Sequence, residues 1–279
     1  MRGRRMNPAE IVDILISEFP LAVFGSIVVG AACGYLGVYI LARRVVFFGA
    51  VLTQVSVLGL ALTFLPALAI PHTIGSLVVT LAFALLLPRT LRGARVPADT
   101  VLGIVFVTAI ALRILILQHT PKVEVAEIEN LLRGDILFVT SELVYPTVAS
   151  LGVAMIFLLG LSKEFGYITF DAETARTQGY QAGVWDVAFY GIAGGVIALS
   201  THLVGDIFVF GFLVIPAAAA MLLSRTVTRI LLFAVIIGGL APFLGLFFAF
   251  LLDLPASPSS VAIAALVLLI AWAGNRMRH

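Results

Sequence analysis

The chain has 279 residues, of which 61% are hydrophobic and 11% are charged, and its mean hydropathy is +1.15. A soluble domain carries about a quarter charged residues, so this composition excludes an ordinary water-soluble fold and indicates a membrane protein. The formal net charge of +2 comes from basic residues spread along the chain, which excludes a nucleic-acid-binding face.

Nine apolar stretches are candidates for membrane-spanning helices. Their approximate limits are 21–42, 46–66, 72–88, 100–118, 143–161, 184–204, 207–223, 230–252 and 259–274. Gly205 and Asp206 leave open whether 184–223 is one segment or two. The pattern predicts an all-α polytopic membrane bundle of eight or nine transmembrane helices, forming a single membrane-spanning domain over residues 1–279.

The N-terminal sequence MRGRRMNPAE is not that of a cleavable signal peptide, since Glu10, Asp13 and Glu18 interrupt the region that should be apolar. The arginine-rich loops place the C-terminus in the cytoplasm under the positive-inside rule. Nine crossings then leave MRGRR outside, against that rule. We therefore expect either that the segment before Leu21 lies in the membrane interface or that the count is off by one.

Polar residues inside apolar stretches are the functional candidates, because polar groups are costly in hydrocarbon. Thr53, Gln54 and Ser56 interrupt the second stretch, where they either line a pathway or make interhelical hydrogen bonds. His202 and Asp206 are four apart, so one continuous helix would place both on one face. An imidazole and a carboxylate suit zinc or manganese. The alternative for this pair is a polar break at the outer membrane surface.

Two loops are long enough to hold structure. The outer loop, His119 to Asp135, is acidic. The inner loop, Lys163 to Tyr180, predicts a short helix that Asp171 can cap and Gly179 can end. This helix either contacts another protein or serves as a simple linker. Arg113, near the outer end of its span, can extend to water, and we interpret it as structural.

Several motifs of enzymes are absent from the sequence. It contains no GxxxxGK[ST], HExxH or GxSxG, and its single cysteine, Cys33, forms no cluster. The chain therefore has no P-loop with which to bind ATP, and an intramembrane enzyme has no visible acid–base pair or nucleophile. An ion-coupled secondary transporter would need inverted repeats and several intramembrane carboxylates, of which only Asp206 is well placed.

Five segments resemble the permease subunit of ATP-binding-cassette importers for zinc, manganese and iron, over the chain from about Phe19 to the C-terminus. They are LARRVVFFGAVLTQVSVLG, DTVLGIVF, LLRGDILFVT, FDAETARTQGY and FGFLVIPAAAAMLLSR. The third resembles the family's re-entry segment, and the fourth resembles the cytoplasmic segment that family members insert into the ATPase. Each segment is mostly apolar, but their occurrence in the family's order makes the match specific.

The resemblance implies a multi-pass permease subunit of the bacterial inner membrane that moves a divalent metal ion and binds no cofactor of its own. Two copies of the chain would form the pathway, two ATPase subunits would dock below and hydrolyse ATP, and an extracytoplasmic metal-binding protein would deliver the ion. The residues that it assigns to ATPase coupling are Asp171, Glu173, Ala175 and Gly179. With the acidic outer loop, it assigns docking of the binding protein to Arg133.

The second stretch departs from the family at its metal-handling positions. Many family members carry Asp and His there, in a pattern like GDALSHA, whereas this chain has Ala50 and Gln54. A neutral amide is a poor zinc ligand, so we expect His202 and Asp206 to handle the metal instead. The metal stays open among zinc, manganese and iron. The alternative function is an ion-coupled secondary transporter of a metal or small solute.

Overall fold

The computed structural model describes residues 8–65, 70–93, 96–118, 136, 140–170, 175, 177 and 179–276. Eleven helices have their bounds in these residues: α1 (Pro8–Ser17), α2 (Pro20–Ala42), α3 (Val46–Leu62), α4 (His72–Gly93), α5 (Ala98–Leu117), α6 (Ser141–Gly160), α7 (Ser162–Phe170), α8 (Ala182–Val204), α9 (Asp206–Leu223), α10 (Val227–Leu252) and α11 (Ala256–Arg276). Seven of them, α2, α5, α6 and α8 to α11, are long and apolar enough to cross a membrane, and α3 and α4 contain shorter apolar helices. The predicted all-α polytopic bundle is confirmed.

The apolar region 184–223 consists of two helices. α8 ends at Val204 and α9 begins at Asp206, and Gly205 between them has a φ of 86°. Glycine adopts this left-handed conformation without the steric cost that a Cβ imposes. The hydroxyl of Ser257 on α11 donates a 3.0 Å hydrogen bond to the carbonyl of Val204, which satisfies one of the groups that a helix end leaves without a partner.

The helix before α2 is short. α1 has ten residues, buries Ile11 and Leu15, and contacts α10. Ten helical residues are about half the length needed to cross a bilayer. α1 is therefore too short to cross the membrane by itself, and the interfacial position of the segment before Leu21 stays a prediction.

The chain divides into two compact units, each described by itself. The first comprises Met1–Val38, Asn130–Val148 and Leu203–His279, and the second comprises Tyr39–Glu129 and Ala149–His202. In the first unit, glycines of α2 lie against the main chain of α9 and α10. A Cβ on Gly34 would lie 2.5 Å from the carbonyl oxygen of Ala234, and one on Gly37 would overlap the carbonyl of Leu213. Such contacts are typical of membrane helices, which associate through close packing.

In the second unit, α3 packs against both α4 and α5. A group of aromatic residues lies where α2 ends and α3 begins: Tyr39, Phe48, Phe165, Trp185, Phe189 and Tyr190. Their ring centroids are 4.9 to 6.2 Å apart and mostly edge to face, an arrangement in which aromatic rings attract each other. We call these six residues the aromatic cluster.

Candidate functional site

Two of the polar residues of α3 are buried and make hydrogen bonds within the second unit. The hydroxyl of Thr53 donates to the carbonyl of Ala50, one turn earlier in the same helix, at 2.8 Å. The hydroxyl of Ser56 shares a 2.7 Å hydrogen bond with that of Ser76 on α4. Ser56 therefore fixes the packing of α3 on α4, as one of the two sequence-based alternatives expects. That these residues line a pathway stays a prediction.

Gln54 is half-buried and contacts Arg113, a residue that the sequence analysis treated separately. Its Oε1 accepts a 3.1 Å hydrogen bond from Nη1 of Arg113 on α5. This hydrogen bond gives Arg113 a partner on α3, which fits the interpretation of Arg113 as a structural residue.

The structure places the two predicted metal ligands on different helices. His202 lies in the last turn of α8, and Asp206 is the first residue of α9. The premise of one continuous helix face is wrong, because the chain breaks at Gly205. Oδ1 of Asp206 accepts a 2.7 Å hydrogen bond from the N–H of Ile207, at a helix N-terminus where a carboxylate is favourable. Metal contact by this pair stays a prediction.

No ready-made metal site is present in the part of the chain that the structure describes. Its residues include no group of three or more His, Cys, Asp or Glu that could hold a metal ion. The imidazole of His72, the first residue of α4, lies with its Nδ1 2.6 Å from Oγ1 of Thr63. Its ring stacks on Phe64 with centroids 4.4 Å apart. These contacts hold the histidine at the start of α4.

Segment 171–180, which we call the coupling segment after its predicted role, is described in part. Three of the predicted contact residues lie outside the described residues: Asp171, Glu173 and Arg133. Gly179 has a φ of 82°, and the N–H of Tyr180 donates to the carbonyl of Ala175 at 3.0 Å, a bond that typically closes a helix at glycine. Gly179 thus ends a helical turn, as the sequence predicts. Ala175 is 1% exposed, so a bulky residue there would first disturb the chain's own packing.

A cluster of polar and charged residues lies next to the coupling segment, and the sequence did not predict it. Nη1 of Arg43 lies 2.9 Å from Oδ1 of Asp186, and Nε of Arg43 donates to the hydroxyl of Thr169 at 3.0 Å. The guanidinium also lies 4.1 Å from the ring centroid of Phe189, within the range of a cation–π interaction. Arg43 and Asp186 are 143 residues apart, so no spacing connects them. The only signal is that Asp186 is an isolated acid at the start of an apolar stretch.

Comparison with known proteins identifies the family. Residues 18–275 match the model of the ABC 3 transport family. The chain belongs to this family. It is therefore a multi-pass permease subunit of an ATP-binding-cassette importer, and ATP hydrolysis belongs to a separate subunit. The resemblance found in the sequence is confirmed.

Relatives and a solved structure match this ABC permease over nearly its whole length. It is 26% identical over 267 residues to "Probable iron transport system membrane protein" of Haemophilus influenzae, covering 94% of this chain and 93% of the relative. It is 26% identical over 254 residues to "Manganese import system permease protein ScaB" of Streptococcus gordonii, covering 90% and 89%. The structure of PsaBC from Streptococcus pneumoniae in complex with Fab matches with a TM-score of 0.83, 25% identity and 95% coverage of both chains.

Proposed function

We propose that this ABC permease imports manganese, iron or zinc, which an extracytoplasmic binding protein delivers. The observation that carries the proposal is the family match over residues 18–275. The relatives named above for iron and manganese transport support the cargo class. Because the family separates transport from hydrolysis, the absence of a P-loop in the sequence fits this division.

The assembly that we propose contains two copies of this chain in the bacterial inner membrane, with ATPase subunits docked on the cytoplasmic side. The whole of residues 1–279 acts as one permease domain. The seven long apolar helices, with the shorter apolar helices of α3 and α4, supply the eight or nine crossings. Their lengths support this count, since about 20 helical residues cross a bilayer. ATP-driven closure of the partner would rock these helices between outward-open and inward-open states.

Four groups of residues have proposed roles in this cycle. The coupling segment, with Asp171, Glu173, Ala175 and Gly179, contacts the ATPase, and its glycine-terminated turn supports a compact docking element. Arg133 docks the binding protein. His202 and Asp206 contact the metal, which their ligand types support. Thr53, Gln54 and Ser56 line the pathway.

Reconstitution tests the function directly. The permease would be placed in proteoliposomes with its ATPase and binding protein, and uptake of radioactive manganese, iron and zinc would be measured with and without ATP. We expect ATP-dependent uptake of at least one metal, and none with an ATPase that cannot hydrolyse ATP. Uptake driven by an ion gradient without ATP would instead favour a secondary transporter.

A further inference from the structure

The side chain of Arg43, just beyond the end of α2, holds two residues that border the coupling segment. Thr169, whose hydroxyl accepts a hydrogen bond from Nε of Arg43, is the next-to-last residue of α7, two residues before the segment begins. Asp186, which pairs with its Nη1, lies in the second turn of α8, shortly after the segment ends. One guanidinium therefore connects the base of α2 to the two helices that flank the coupling segment.

The backbone around Arg43 is itself held in a specific conformation. The N–H of Arg44 donates to the carbonyl of Leu41 at 3.0 Å, and that of Val45 donates to the carbonyl of Ile40 at 3.2 Å. This pair of bonds closes a helix around a left-handed residue, which is usually glycine. Here that residue is Arg44, with a φ of 58°. Strained positions of this kind persist where the surroundings enforce them, and they concentrate at functional elements.

The contacts of Arg43 orient the neighbouring helices more than they stabilise the fold. The side chain of Arg43 is only 10% exposed, and its buried Nη2 has no hydrogen-bond partner in the part of the chain that the structure describes. A buried ion pair gains little net stability, and an unsatisfied donor adds a cost. What the planar guanidinium supplies is a rigid fork, which binds acceptors on two helices at once. A lysine has the charge but lacks this fork.

The aromatic cluster supports the same contact. Phe189 lies against the guanidinium, and Phe165 on α7 packs edge to face on Phe189 at 5.7 Å. Tyr180, the last residue of the coupling segment, lies 6.1 Å from Trp185 on α8. The segment thus ends against the aromatic residues on which Arg43 rests. A displacement of Tyr180 would therefore act on the cluster through Trp185.

We infer that Arg43 is a positioning residue for ATPase coupling, which transmits displacement of the coupling segment to the base of α2 through Thr169 and Asp186. This inference rests on the proposed function, in which the coupling segment contacts the ATPase. Arg43 contacts neither the metal nor ATP in this role. It fixes the distance between the coupling segment and α2, so that a movement of the segment also moves the base of α2.

The test compares Arg43→Gln and Arg43→Lys in the reconstituted complex with its ATPase and binding protein. The first readout is metal taken up per ATP hydrolysed, and the second is the stimulation of ATP hydrolysis by the binding protein. We expect Arg43→Gln to lower metal per ATP by roughly tenfold, the size of losing a hydrogen bond to a charged group. Arg43→Lys should restore part of the loss. The double variant Arg43→Gln/Asp186→Asn should take up no less metal per ATP than Arg43→Gln alone, because both changes break the same ion pair.

The matched control is Arg229→Gln, which removes the charge of an exposed arginine in the first turn of α10 and should leave both readouts unchanged. Unchanged coupling in Arg43→Gln would overturn the inference. So would loss of ATPase binding and of thermal stability in both Arg43 variants, which would make the residue purely structural. Failure of the proposed function is separate: the wild-type complex would take up no metal, while stimulation of hydrolysis would still measure coupling.

Discussion

The close approach of α2 to α10 makes a quantitative prediction for Gly34→Ala. An alanine is about 1 kcal/mol better than a glycine in a helix interior, so helix propensity alone favours the change. The added Cβ would lie 2.5 Å from the carbonyl oxygen of Ala234, whereas ordinary contact begins at 3.4 Å, a shortfall of 3.4 − 2.5 = 0.9 Å. The two helices would have to move apart to remove this overlap. A gap of about 0.5–1 Å opened in this way removes a quarter to a half of the dispersion attraction between the other atoms of the contact. Overpacking of this kind costs about 1–3 kcal/mol.

Gly152→Ala on α6 is the matched control, because no atom lies within 4 Å of its added Cβ. Both variants share the gain in propensity, so Gly34→Ala should be less stable than Gly152→Ala by about 1–3 kcal/mol. Equilibrium unfolding of the purified protein in mixed micelles, followed by circular dichroism, measures the difference. Equal stability of the two variants would show that contact between the α2 and α10 backbones does not limit their packing.

Three further predictions follow from single positions. His202→Ala and Asp206→Ala should each reduce metal uptake by at least about tenfold while ATPase assembly persists, and near-normal uptake by the double variant would return both residues to a structural role. Arg133→Glu should weaken docking of the binding protein, most strongly at low salt, where surface charges are least screened; equal affinities in a low-salt binding assay would contradict this. Arg44→Gly should raise the unfolding free energy by about 1 kcal/mol, since it removes left-handed strain from an L residue, and a lower stability would count against that strain.

The sequence by itself determined the class of protein and most of its helices. Hydropathy is a property of consecutive residues, so long apolar stretches predict spanning helices without knowledge of their neighbours. The family resemblance likewise rested on short consecutive motifs, and the family match over residues 18–275 confirms it. The helix end at Gly179 was also predictable, because a left-handed closure depends on the residues of one turn.

The break at Gly205 was only an alternative in the sequence, because glycine is common both inside membrane helices and at their ends. The tertiary structure decided it, with Ser257 satisfying the carbonyl of Val204 from 53 residues away. That break also separates His202 and Asp206 onto two helices, which a four-residue spacing could not foresee.

Contacts between segments that are distant in the chain could not be predicted from the sequence. Gln54 reads as an isolated amide, and only the packing of α3 on α5 brings the guanidinium of Arg113 to it. In the sequence, Arg43 lies next to a second arginine between two apolar stretches, and only the fold places it between Thr169 and Asp186. Local patterns determine where each helix forms, whereas the partner of a polar side chain depends on which helices pack together.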